Sequence, residues 1–230
     1  MWLTVAYDHT SLFSLKNTNA TSSGGKTNLV PTMYSVKLAI IDALYKLGEN
    51  GEEHFNWIKE LTIRFSPPQY AIINNSFIKI LREPKEKQKK AFISSIAYRE
   101  FVYFSGELKI ALELSNLKDE QIELLKMALV HINYFGKKGS FVQFKGYKLL
   151  DEYELSDEFT WDLRDKRESF NSLVVFQHLD DIGEKAKFSN INTFDESKNK
   201  LGMDRILIPT AIPYVLKSSS RGYSYYHKSN

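Results

Sequence analysis

The sequence predicts an α+β fold: a βαββαβ domain with one inserted β-hairpin, followed by a mostly β C-terminal extension. Three observations predict it. Residues 2–7 are aromatic and β-branched, residues 31–47 and 122–132 carry apolar side chains at helical spacing, and the runs between and after them are strand-like. Of the 230 residues, 43% are hydrophobic and 13% aromatic, enough apolar material for a buried core.

The first strand covers Trp2 to Tyr7, with Leu3, Val5 and Tyr7 on one face and Trp2, Thr4 and Ala6 on the other, a pattern expected of a strand covered on both sides. Residues 11–28 then turn to Ser, Thr, Asn and Gly, a long polar loop of the kind that either binds something or moves. Pro31 marks a helix start, because a first-turn proline gives up no hydrogen bond; Met33, Val36, Ile40, Leu44 and Leu47 form its stripe and Gly48 its stop. Leu61–Phe65 and Tyr70–Leu81 read as strands, and Pro67-Pro68 between them reads as the turn of a hairpin. Phe92–Phe104 is aromatic-rich, and Glu107–Leu114 is the next strand. A second helix is expected from a cap pair at Asn116 and Asp119, with Ile122, Leu125, Leu129 and Ile132 as its stripe and Gly136 as its end. Phe141–Leu150 closes the pattern as a strand. This order is that of a ferredoxin-like (RRM-like) domain over residues 1–155, with the insertion at about 67–105.

Past a soft boundary near Ser156 the chain changes character. Residues 151–168 hold eight acids and three bases, expected either to pair with upstream lysines or to form a solvated face or a contact for a basic neighbour. Leu173–Leu179 and Arg205–Leu216 suggest added strands, and 217–230 reads as a Ser, Tyr and basic tail, so 156–230 is taken as a β-rich extension.

Composition excludes several classes of function. The chain has no cysteine, which removes disulfides, thiolate metal sites and a cysteine nucleophile. The five histidines are scattered without ligand spacing, so neither a metal nor another cofactor is expected. No apolar run has the length of a membrane span and no export signal opens the chain, so a cytoplasmic protein without a membrane partner is expected. With 31 Lys+Arg against 28 Asp+Glu, the net charge of +3 points to no partner by itself; the placement of the charges does.

Two glycine turns carry that placement. Residues 20–27, Ala-Thr-Ser-Ser-Gly-Gly-Lys-Thr, resemble a phosphate-binding loop, but a polar stretch precedes them and Pro31 falls where the helix should already run. What remains is a Gly24-Gly25-Lys26-Thr27 turn before a helix N-terminus, offering amides and a lysine to a phosphate. The second turn, Gly136-Lys137-Lys138-Gly139-Ser140, opens a stretch to Lys148 with four lysines and no acid, where Phe141, Phe144 and Tyr147 offer stacking faces. Tyr98 and Arg99 lie among aromatic residues, and Lys85–Lys90 adds four lysines. Tyr7, His9 and Lys16 form the one set that supplies a base, an acid and a cation for metal-independent RNA cleavage.

Three stretches, residues 31–45, Ala97-Tyr98-Arg99-Glu100-Phe101-Val102 and Phe135-Gly136-Lys137-Lys138-Gly139-Ser140-Phe141, resemble the fifth Cas protein family of the RAMP superfamily. The resemblance runs from Trp2 to about Leu150. It implies a non-catalytic RNA-binding subunit of a type I CRISPR Cascade surveillance complex, a ribonucleoprotein of antiviral defence or RNA-guided DNA targeting. Such a subunit grips the 5′ handle of the crRNA, caps the backbone filament, touches the large subunit and meets target DNA through the complex. It further implies that Gly136–Ser140 is the glycine-rich RNA-contacting loop, and that Gly24 to Lys37 is the loop and helix start after strand one. The insertion between Pro67 and Ser105 would be the protruding hairpin that bends the guide. The RNA-binding set is therefore Lys16, Gly24, Gly25, Lys26, Thr27, Lys37, Tyr98, Arg99, Lys137, Lys138, Gly139 and Ser140. Two alternatives stand beside it: an endoribonuclease processing precursor crRNA through Tyr7, His9 and Lys16, and a protein-only interaction module.

Overall fold

Leu3, Val5 and Tyr7 are fully buried while Thr4 and Ala6 are half-buried, the period-two pattern that makes β1 (Trp2–His9) a central strand. The computed structural model describes residues 1–20, 24–82, 84, 92–151, 155–165, 173–192, 195 and 199–229. After β1 come β2 (Gly24–Gly25), α1 (Met33–Lys46), α2 (Phe55–Glu60) and β3 (Ile63–Ser66). Two long strands follow, β4 (Tyr70–Arg82) and β5 (Ile93–Ser105), then β6 (Leu108–Glu113), α3 (Asp119–His131) and β7 (Val142–Leu150). The C-terminal third holds β8 (Trp161–Asp162), β9 (Val175–Ile182), α4 (Phe188–Ile191), β10 (Arg205–Ile212), β11 (Tyr214–Ser219) and β12 (Tyr223–Lys228). The fold is α+β, with strands predominating.

Three sheets organise these elements. The first has the order β3-β6-β1-β7, all neighbours antiparallel, with α1 and α2 in the β1–β3 connection and α3 in the β6–β7 connection. Its register shifts between Ala6 and Tyr7, where β7 carries an extra residue beside Gly146; that glycine's φ of +148° suits a bulge poorly tolerated by other residues. The second sheet runs β11-β12-β4-β5-β2 and the third β8-β10-β9. Apolar side chains from all parts of the chain, from Leu3 and Val36 to Leu179, Ile208 and Tyr214, join one buried cluster that spans the expected boundary near Ser156. Cross-links of this kind include Thr160 N to Phe65 O at 2.7 Å and the Tyr214 hydroxyl donating to Pro68 O at 2.8 Å.

Several expectations are corrected. The strand pair flanking Pro67-Pro68 is not a hairpin: β3 pairs with β6 and β4 with β5, so the prolines carry the chain from one sheet to another. The actual hairpin is β4–β5, thirteen residues in each strand, registered from Tyr70↔Ser105 to Arg82↔Ile93. Helix α1 starts two residues later than Pro31 implied, with Thr32 as N-cap in a capping box with Ser35, the hydroxyl of each accepting from the other's amide at 3.2 and 3.0 Å. Helix α3 is entered at Lys118, whose amide donates to Gln121 Oε1 at 2.9 Å, and not at Asn116. The Ser- and Tyr-rich tail adds a further strand to the C-terminal part, since β12 pairs with both β11 and β4. The Lys85–Lys90 run, Thr21–Ser23 and the acids Glu152, Glu154 and Glu168 lie outside the described residues.

Candidate nucleic-acid interface

At the C-terminal end of β1 the chain brings three separately encoded segments together. The loop after β1 is pinned on one side to the glycine turn, through Ser14 N donating to Ser140 Oγ at 3.2 Å and Ser11 Oγ donating to Gly139 O at 2.6 Å. On its other side Ser14 Oγ donates to Glu100 O at 2.9 Å, and Phe13 exchanges both backbone hydrogen bonds with Val102 of β5. Farther along, Gly24 and Gly25 run parallel to Tyr98 and Arg99, while Lys16 bridges Thr27. Gly25 is required by this approach: a Cβ there would stand 2.5 Å from the Arg99 guanidinium and 2.7 Å from Tyr98 O.

The cations on this surface are open. Lys16, Lys26, Lys137 and Lys138 are exposed, and none has an ion-pair partner among the described residues. Gly139, with φ of +104° and open space where a Cβ would sit, lets a ligand reach the backbone of the turn. Tyr98 packs edge-on against Phe77, its register partner across the hairpin, at 5.1 Å; the Phe77 ring is 74% exposed. Phe77 was not singled out from sequence, although its alternation within β4 marks it as facing the same side as Tyr98. Of the stacking faces expected on β7 and before it, Phe141 and Tyr147 are exposed, whereas Phe144 turns inward against Tyr7 at 6.0 Å.

Other expected site residues serve the framework. Thr27 is buried; its amide donates to Glu100 Oε2 at 2.8 Å, so a carboxylate of the protein already occupies the anion position of the Gly-Gly-Lys-Thr turn. The amide of Lys26 is turned back to Gly24 O, and the α1 N-terminus is closed by its capping box, which leaves no phosphate cradle among the described residues of the turn. Ser140 is buried and acts as the anchor just described. Lys37 is a correction: it is 1% exposed, with Nζ 2.7 Å from both Asp181 Oδ1 and Lys59 O, and cannot present its charge to a ligand at the surface. Burial pulls its pKa down against the pull of Asp181, and pushes Asp181 up.

The set Tyr7, His9 and Lys16 does not assemble. Tyr7 is fully buried, its hydroxyl donating to Leu129 O at 2.7 Å, and burial pushes its pKa far up. His9 packs on Phe104 at 4.5 Å and Phe13 at 5.8 Å, and burial lowers its pKa to about 4, against a smaller opposing effect of Asp8. Only Lys16 is exposed. Among the described residues no group of three His, Asp or Glu side chains is placed to hold a metal ion, and no helix is long and apolar enough to cross a membrane.

No family model matches the chain. A curated relative, the CRISPR-associated protein Cas5 of Archaeoglobus fulgidus, is 22% identical over 210 residues, which cover 89% of this chain and 90% of the relative. Among solved structures, a CRISPR protein from Archaeoglobus fulgidus aligns with a TM-score of 0.49 and 12% identity, over 100% of this chain and 92% of that one. A chain of a CRISPR RNA-guided surveillance complex aligns with a TM-score of 0.46 and 11% identity, over 92% and 91%. This chain is thus related along nearly its whole length to a Cas5 protein, the family that its own motifs resemble.

Proposed function

We propose that this chain is the RNA-binding, non-catalytic Cas5-type subunit of a type I CRISPR Cascade surveillance complex, acting in the cytoplasm. In this reading it holds the 5′ handle of the crRNA, caps the backbone filament, contacts the large subunit and engages target DNA through the assembly. The observation that carries the reading is the convergence of the loop after β1, the 136–140 turn and the middle of β5, with four exposed lysines that have no ion-pair partner among the described residues and the Phe77–Tyr98 pair. A single strand needs that combination: cations along its phosphates and aromatic faces for its bases. The strand order β7-β1-β6-β3, with helices in the two crossovers, supports a ferredoxin-like reading of residues 1–155, and the β4–β5 hairpin supports the reading of the insertion as the protruding element. The burial of Tyr7 and His9 supports binding without cleavage.

The test is binding and cleavage of a labelled CRISPR-repeat RNA by the purified chain across a salt series without added metal. Four phosphate contacts predict a log–log salt slope of about −3, and K137A/K138A is expected to reduce it by about 1.4 while weakening affinity at every salt. The RNA should remain intact. Absence of binding at low salt would overturn the RNA reading, and specific cutting that is lost in H9A would overturn the non-catalytic one.

A further inference from the structure

Only one face of the second sheet belongs to the core. Ala71, Ile73, Val102 and Phe104 lie in the buried cluster and Tyr226 packs against it, so their neighbours in the alternation stand on the other face. On that outer face the register sets Tyr70 of β4 beside His227 of β12. Tyr225 of β12 is in line with Tyr103 of β5 across Ile72, and Tyr223 is in line with Phe101 across Asn74. Six rings thus fill three rows of one sheet face. We propose that this face is a stacking platform for single-stranded RNA, separate from the interface described above.

The rings are placed to receive bases. Tyr103 is 52% and Tyr223 39% exposed, and neither is in contact with another ring among the described residues. Tyr70, Tyr225, His227 and Phe101 are half-buried. Tyr70 stacks on Tyr225 at 6.0 Å and lies 4.7 Å from His227, so these rings hold one another as a floor. Backbone pairing on both sides of β12 and of β4 keeps the floor rigid. Side chains on one face of a strand recur at roughly 7 Å, and a sheet that presents aromatic residues in this way stacks two or three bases. Asn74 and Ser105 stand in the rows between the rings, where an amide and a hydroxyl can meet the 2′-hydroxyl that marks RNA.

Charge selects the partner. No Asp or Glu occurs from Arg205 to the last residue, nor from Gln69 to Arg82. The one carboxylate within β5, Glu100, is buried and accepts from the Thr27 amide. Past residue 204, Arg205 is paired with Asp180 and Lys228 with Glu158, whereas Lys217 and Arg221 are exposed and have no ion-pair partner among the described residues. Lys217 lines a depression of about 410 Å³ together with Tyr225 and His227, which sets its charge beside the rings. Phosphates need such cations and bases need such rings. An acidic peptide would meet the same cations but has no bases for the platform. Phe77 and Tyr98 fall on the face of Val102 by the same alternation, so the two aromatic sets lie on opposite faces of one sheet and can be tested apart.

The test is a fluorescence-polarisation titration of the full chain carrying K137A/K138A with fluorescein-labelled dodecauridine. Saturable binding is expected, weakened about tenfold or more by Y103T/Y223T, which removes two rings while keeping β-branched residues in the strands. Y103F/Y223F should retain it, K217E/R221E should weaken it with every ring in place, and all variants should keep the parent's melting temperature. With 5-iodouridine in the RNA, photocrosslinks are expected at Tyr103, Tyr223 or Tyr225. Unchanged affinity in Y103T/Y223T, absence of saturable binding, dodecathymidine bound as tightly, or displacement by hexa-glutamate as effective as by unlabelled RNA would overturn the proposal. Failure of the earlier reading would look different: K137A/K138A would leave repeat-RNA binding unchanged while Y103T/Y223T still weakened dodecauridine binding.

Discussion

Both ring nitrogens of His9 are buried without a hydrogen-bond partner among the described residues, and the ring packs against Phe104 and Phe13, which also touch each other at 5.6 Å. Such a histidine is held neutral because a charged ring would lose its hydration. Its folded pKa of about 4 lies below the ordinary 6.5, so between those values the unfolded chain binds a proton that the folded chain does not. The stability associated with neutral His9 is therefore complete above pH 6.5 and is lost as pH falls toward 4, by up to roughly 3 kcal/mol. Replacing His9 with Phe should flatten the stability curve from pH 6.5 to 5, as measured by urea unfolding at each pH; an acid slope equal to the parent's would contradict the assignment. Lys37 illustrates the same physics with a partner. A lysine so deeply buried is retained as half of a pair with Asp181, and that pair ties α1 to β9.

Between elements, the tightest junction of the candidate interface is the parallel contact of β2 with β5. It depends on the absence of a side chain at Gly25, since the atoms a Cβ would meet include the backbone carbonyl of Tyr98, which a flexible side chain's motion cannot relieve. Gly25→Ala should lift β2 from β5, lower stability by about 1 to 3 kcal/mol and expose the amides of residues 97–101 to faster hydrogen exchange. Exchange unchanged at those positions would show that the junction is not held by close packing. The β4–β5 hairpin shows the opposite economy: near Tyr70 it is covered by β12, and beyond Asn74 exposed Phe77, Leu81 and Ile96 share one face by register.

For the molecule as a whole, the C-terminal segment closes the structure that the first half begins. Tyr214 is fully buried and reaches Pro68, β12 pairs with β4 from Tyr70 to Asn74, and Lys228 donates to Ser66 Oγ and Glu158 Oε2 at 2.6 and 3.0 Å. Removing residues 213–230 would unseat a buried tyrosine and bare the edge of β4, whose unpaired amides would invite association. The truncated chain should melt at least 10 °C lower, or run as an aggregate on size exclusion; a monomer with the parent's melting temperature would refute this account.

Local chemistry made much of this legible in the sequence. Alternation marked β1, helical spacing marked α1 and α3, and the turn at Gly136–Ser140 stood out because glycines and lysines coincide there. Partner choice was not legible. Strand pairing joins residues far apart in the chain, so the separation of β3 from β4, the capture of the Tyr-rich tail by β4 and the seating of β2 on β5 depend on which edges remain free once the core has formed. The same limit governed the site. Sequence determined that lysines, glycines and aromatic residues were present at the loop after β1, the 136–140 turn and β5; only the tertiary structure decided which of them remain at the surface. It exposed Lys16, Lys26, Lys137 and Lys138 and drew Lys37, Tyr7 and His9 inward, because burial is a property of what packs against a residue and not of the residue itself.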